Sequence, residues 1–150
     1  MPLDPSFVGR AFASSEPYLV GREKIREFAA ALGDGNPACT SVEAARALGY
    51  PDLVAPPTFA ITFRDEQADT GSLLRDLGTD VSRLLHGEQE FEIFRQLRPG
   101  ETYLCRSTVV EQYEKTGKSG PMGFVVRETT VTDHENEIVA KARGITVVRL

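Results

Sequence analysis

Cysteine is scarce in this 150-residue chain: Cys39 and Cys105 are the only two, and neither has a histidine or another cysteine at metal-ligand spacing. That excludes a zinc knuckle and a disulfide framework and points to two free thiols in a reducing cytoplasm. Basic charge is short as well. Seventeen Lys and Arg stand against 22 Asp and Glu, for a net charge of -5 and a pI near 5.1. Nothing in that balance draws the chain to nucleic acid or to an anionic membrane surface, both of which require clustered Lys and Arg. No apolar run approaches the ~20 residues of a membrane helix. The start, Met1-Pro2-Leu3-Asp4-Pro5, has no basic region leading into an apolar one, so a soluble cytoplasmic protein is expected. Repeats and low-complexity tracts are also absent. What is present, 41% hydrophobic and 26% charged residues, suits a single domain over residues 1–150 with one sizeable core.

The hydrophobic pattern changes period along the chain. After a short tail and a brief apolar segment, Tyr18-Leu19-Val20, the residues Ile25, Phe28, Ala29 and Leu32 recur on one helical face, and Gly33 stops the helix. A loop from Asp34 to Thr40 follows. Ser41 to Leu48 reads as a second short helix ending at Gly49. Pro51, Pro56 and Pro57 then exclude regular structure. Phe59, Ile61 and Phe63 read as the buried start of a central helix running from about Pro57 to Ala68, with a more polar continuation from Glu66 to Leu77. From Leu85 the period becomes two. Phe91 and Ile93 alternate with Glu90 and Glu92, and Leu97-Arg98-Pro99-Gly100-Glu101 marks a turn. Strands are expected at Tyr103–Gln112, Phe124–Thr132 and Ile138–Arg149, joined by a Lys115–Gly120 loop and by a turn at Asp133–Asn136, where Asn136 suits a left-handed conformation. Helices followed by consecutive hairpins give an α+β domain whose curved antiparallel sheet buries its apolar face on a helix.

The run Gly33-Asp34-Gly35-Asn36-Pro37-Ala38-Cys39 resembles the Asp-x-Asn-Pro-x-His loop of the MaoC-like (R)-specific enoyl-thioester hydratases and (3R)-hydroxyacyl-thioester dehydratases. Asp34, Asn36 and Pro37 match, and Cys39 stands where that family has its histidine. The segment Ala47 to Phe59 is similar to the approach to the central helix in MaoC-type N-terminal dehydratase domains. The runs His86-Gly87-Glu88-Gln89-Glu90-Phe91 and Leu97-Arg98-Pro99-Gly100-Glu101 are similar to that family's strand and following turn. The resemblance implies a hot-dog fold, a sheet wrapped around one central helix. It also implies acyl-thioester chemistry without metal or cofactor. A 3-hydroxyacyl thioester loses a proton from C2 and hydroxide from C3, so such a site needs a base, an acid and donors for the enolate-like oxygen.

On that template the candidate catalytic residues are Asp34, Cys39 in place of the histidine, and His86 if the fold brings it near. Asn36, Pro57, Thr58 and Phe59 are the candidate substrate-binding residues. Each has a plainer reading. Asp34 and Asn36 suit an Asx turn, Cys39 a small buried residue, His86 a structural histidine, Pro56 and Pro57 a helix entrance, and Phe59, Ile61 and Phe63 the core. His134, in a turn, should face solvent. A thiol is a poor substitute for imidazole in proton transfer to oxygen, and proline has no N–H for an oxyanion. The chain thus looks like the A- or C-type subunits of two-chain (3R)-hydroxyacyl-carrier-protein dehydratases of fatty acid elongation, in which a partner chain supplies Asp and His. The expected ligand is an acyl-CoA or acyl-ACP thioester. The expected assembly is a heterodimer with a hydratase-like hot-dog subunit, or by default a homodimer. Two alternatives remain: a self-sufficient homodimeric (R)-specific enoyl-CoA hydratase, and a non-enzymatic acyl-thioester-binding or regulatory module.

Overall fold

The computed structural model describes residues 3–14, 16–63 and 80–150. Its frame is an antiparallel meander of three long strands, β4 (Thr102–Gly117), β5 (Gly120–Thr132) and β6 (Ile138–Arg149). Around them lie three further strands. The short β1 (Ala11–Ala13) and β2 (Tyr18–Leu19) both pair with β4, and β3 (Leu84–Ile93) pairs with β6, giving the order β1-β4-β5-β6-β3. Register shifts between His86 and Glu88 on β3 and between Val109 and Glu111 on β4 bend these strands, as bulges do. The sheet is curved, and with its main helix it forms a hot-dog domain.

One face of the sheet is apolar because alternate residues make it so. On β4, Tyr103, Cys105, Ser107 and Val109 are buried while Leu104 and Arg106 are exposed. Two clusters fill that face. The larger joins Tyr103, Cys105, Val131 and Ala140 of the sheet to Ile25 and Ala29 of helix α1 (Arg22–Leu32) and to Phe59 and Phe63. Its centre is aromatic: Phe59 meets Phe28 edge-on at 5.5 Å, and Phe63 stacks on Tyr103 at 5.8 Å. The smaller cluster, Phe7, Phe12, Val109, Val125 and Val148, closes the other end of the sheet.

Several sequence expectations need correction. The stretch read as a tail supplies an edge strand and two buried phenylalanines, Phe7 and Phe12, which three-residue pairing with β4 was too short to announce. The Lys115–Gly120 loop is a tight hairpin. Lys115 to Gly117 stay paired with Met122 to Gly120, and Gly120, at φ +106°, takes the conformation the turn requires. The central helix is present in the described residues only as a 3-10 turn, Phe59–Thr62; its expected course from residue 64 onward, with the polar continuation through Leu77, lies outside them. Ile61 is 48% exposed rather than core, and Leu32 leaves the apolar face of α1 at 52%.

Candidate functional site

The Asp34 turn is built by the end of α1. Gly33, at φ +68°, closes the helix: its N–H donates to the Ala30 carbonyl at 3.1 Å while the Asp34 N–H donates to that of Ala29 at 2.9 Å. This double bond pattern fixes the direction in which the chain leaves the helix. Asp34 Oδ1 then accepts from the Asn36 N–H at 2.9 Å, and Asn36 Oδ1 accepts from the Ala38 N–H at 3.0 Å, capping the 3-10 turn Pro37–Cys39. The Asx-Pro sequence therefore holds its carboxylate by local bonds alone.

Cys39 points inward from this turn. It is 1% exposed within the larger core cluster, and its Sγ faces Asp34 Oδ2 at 4.0 Å. Burial first, and the Asp34 charge second, push the thiol above its usual range. Burial thus favours the neutral thiol over the thiolate at this position. Asp34 is half-buried, and among the described residues the Cys39 thiol faces its carboxylate.

The second candidate fragment is tied to the first by one backbone bond, Val54 N–H to the Ala38 carbonyl at 3.0 Å. The structure thus brings together the Asp34 turn and the proline segment, which sequence reasoning joined only through the resemblance. Pro56 and Pro57 offer no donor, and the Phe59 N–H is consumed by the Pro56 carbonyl at 2.9 Å. Thr58, half-buried, keeps an N–H with no hydrogen bond to a described residue. Phe59 itself is fully buried between Phe28 and Phe63, so its side chain builds core and offers no surface to a ligand. Asn36 is exposed, its side-chain oxygen occupied by the turn. Pro57 borders a hollow of about 170 Å³ lined by Ala55, Pro56, Pro57, Ile93, Gln96 and Leu97. Ile93 ends β3, Gln96 and Leu97 arrive from the β3–β4 connection, and no local pattern links them to Pro57.

His86 is not part of this arrangement within the chain. It is exposed near the start of β3 opposite Thr146, whereas the cluster holding Cys39 meets β6 at Val139 and Ala140. Six strand positions separate Thr146 from Ala140, roughly 20 Å at ~3.3 Å per residue. His134 faces solvent in the β5–β6 turn. Among the described residues, no three His, Cys, Asp or Glu side chains are grouped to hold a metal ion, and no helix is long and apolar enough to cross a membrane.

A curved antiparallel sheet over an aromatic core, with an Asp-x-Asn-Pro turn leaving the main helix, defines a hot-dog protein of the hydratase and dehydratase class. Residues 6–142 match the FAS1-like dehydratase domain region, and the chain belongs to that family, within the MaoC-like hot-dog proteins. A UPF0336 protein of Streptomyces avermitilis is 52% identical over 113 residues, covering 73% of each chain. Of solved structures, a chain of the C-terminally truncated HadBC (3R-hydroxyacyl-ACP dehydratase) complex from Mycobacterium tuberculosis is similar at TM-score 0.74 and 29% identity, over 94% of this chain and 96% of that one. A MaoC-like dehydratase is similar at TM-score 0.77 and 27% identity, over 95% of this chain and 42% of that one.

Proposed function

We propose that this chain is the substrate-holding subunit of a two-chain (3R)-hydroxyacyl-thioester dehydratase of fatty acid elongation, working in the cytoplasm on an acyl group carried by ACP or coenzyme A. The observation that carries the proposal is Cys39: a buried, neutral thiol faces Asp34 where dehydration needs an imidazole. Two further features support it. The proline pair removes two N–H donors beside the turn, and the hollow at Pro57 is largely apolar, as an acyl chain requires. In this reading the partner contributes the Asp and His that take the C2 proton and protonate the leaving C3 hydroxyl. This chain contributes walls and orientation. The similarity to a chain of the HadBC complex favours a second hot-dog chain as that partner.

The test is a reconstituted pair with a hydratase-like chain carrying an intact Asp-x-Asn-Pro-x-His loop. Asp34→Ala in this chain should leave the turnover of the pair within about threefold, while replacing the partner's Asp or His should abolish it. Equal loss from both would place Asp34 in the catalytic machinery and sink the proposal.

A further inference from the structure

The open edge of the sheet carries a charge pattern that chooses its partner. β3 is ten residues long, pairs with β6 on one side and has no described strand on the other. Its alternate residues Glu88, Glu90 and Glu92 are all exposed and project to one face, while Gln89 and Phe91 turn to the other. The neighbouring cations do not balance them. Arg143 divides itself between Glu90 at 3.8 Å and Glu111 at 3.6 Å, and Lys141 sits 3.9 Å from Glu128. Among the described residues these two cations pair with three carboxylates and leave Glu88 and Glu92 without a cation, beside a shallow groove of about 290 Å³ bordered by Glu90, Phe91, Glu92, Glu128, Lys141 and Arg143. At the ends of the strand Leu85 (47%), Ile93 (40%) and Phe94 (54%) are exposed, apolar surface that a strand added at this edge would cover.

Symmetry decides what that surface accepts. Two copies joining antiparallel through β3 would be related by a two-fold axis perpendicular to the sheet, which keeps each face on its own side. Residues directly opposite share a face, so any register that overlaps Glu88 to Glu92 sets carboxylate against carboxylate, and like charges opposite one another destabilise a strand pair. We infer that the β3 edge is built to receive a different chain, a hot-dog strand presenting Lys or Arg opposite the glutamate row, and that it discriminates against a second copy of this one. This rests on the proposed pairing with a second hot-dog subunit and names the chemistry of that subunit's edge.

Sedimentation equilibrium tests the inference without any acyl thioester, so failure of the dehydratase reading leaves its outcome intact. The neutral variant E88Q/E90Q/E92Q should self-associate about tenfold or more tightly than the unmodified chain at low salt. The charge-reversed variant E88K/E90K/E92K, mixed with the unmodified chain, should form a 1:1 heterodimer about tenfold tighter than either homodimer and weakened by salt. A control reversing Glu135 and Glu137 in the β5–β6 turn should form none. The inference is overturned if neutralisation brings no gain in self-association, or if the folded Lys variant, checked by circular dichroism, ignores the unmodified chain. Should the Lys variant fail to fold, the Gln comparison alone decides.

Discussion

At Asp34 and Cys39 the frame of the turn is independent of which residue stands five positions after the aspartate. The turn's hydrogen bonds run through Asp34 Oδ1, Asn36 Oδ1 and backbone N–H groups, none of which needs a histidine five residues on. A cysteine at this position therefore leaves the turn intact and puts a small side chain in the core. Because burial and the Asp34 charge raise the thiol, Cys39 should resist alkylation in the native protein at pH 8 and react freely once unfolded, as peptide mass spectrometry after iodoacetamide treatment would show. Rapid native labelling of Cys39 would contradict its placement. Asp34→Ala, which removes the Asx-turn acceptor, should lower stability by about 1 kcal/mol in urea unfolding.

At the scale of elements, the fold was legible where period and turn chemistry agree. Ile25, Ala29 and Gly33 announced α1 and its end, Asn136 with φ +63° announced the β5–β6 turn, and alternation announced the meander. The site was legible only in part. The Asx-Pro turn is a local device and can be read from adjacent residues. The union of the Asp34 turn with the proline segment depends on the Val54–Ala38 bond, and the hollow at Pro57 depends on Gln96 and Leu97. These are long-range meetings with no periodic signature. The position of His86 was illegible for the same reason, since a residue's place along a strand says nothing about which end of the sheet it shares with the Asp34 turn. Two element-scale outcomes follow. Gly33→Ala puts a Cβ on a left-handed residue and should cost about 1–2 kcal/mol, read by thermal or urea unfolding. Tyr103, whose hydroxyl donates to Glu101 at 2.6 Å and accepts from the Arg98 N–H at 3.2 Å, is pushed up to about 12 by burial and then by Glu101. Its folded value exceeds the unfolded one of ~10, so its contribution is complete below pH 10 and is lost as pH rises through 12. Tyr103→Phe should flatten that alkaline fall in stability, as measured by urea unfolding between pH 9 and 12.

For the molecule as a whole, a hot-dog frame sets the Asp34 turn against a buried thiol, and one long strand edge is open among the described residues. Both features fit the proposed pairing, in which a second chain docks at the edge and brings an Asp and a His. In the proposed role this chain holds substrate and does not turn it over. The most direct measurement is the hydration of a trans-2-enoyl thioester followed by its absorbance, first with the purified chain alone and then with a partner bearing the intact Asp-x-Asn-Pro-x-His loop added in equimolar amount. On the proposed role, no turnover above background is expected from the chain alone, and turnover is expected on addition of the partner, in excess of what the partner gives by itself. Turnover by the chain alone, abolished by Asp34→Ala, would contradict it.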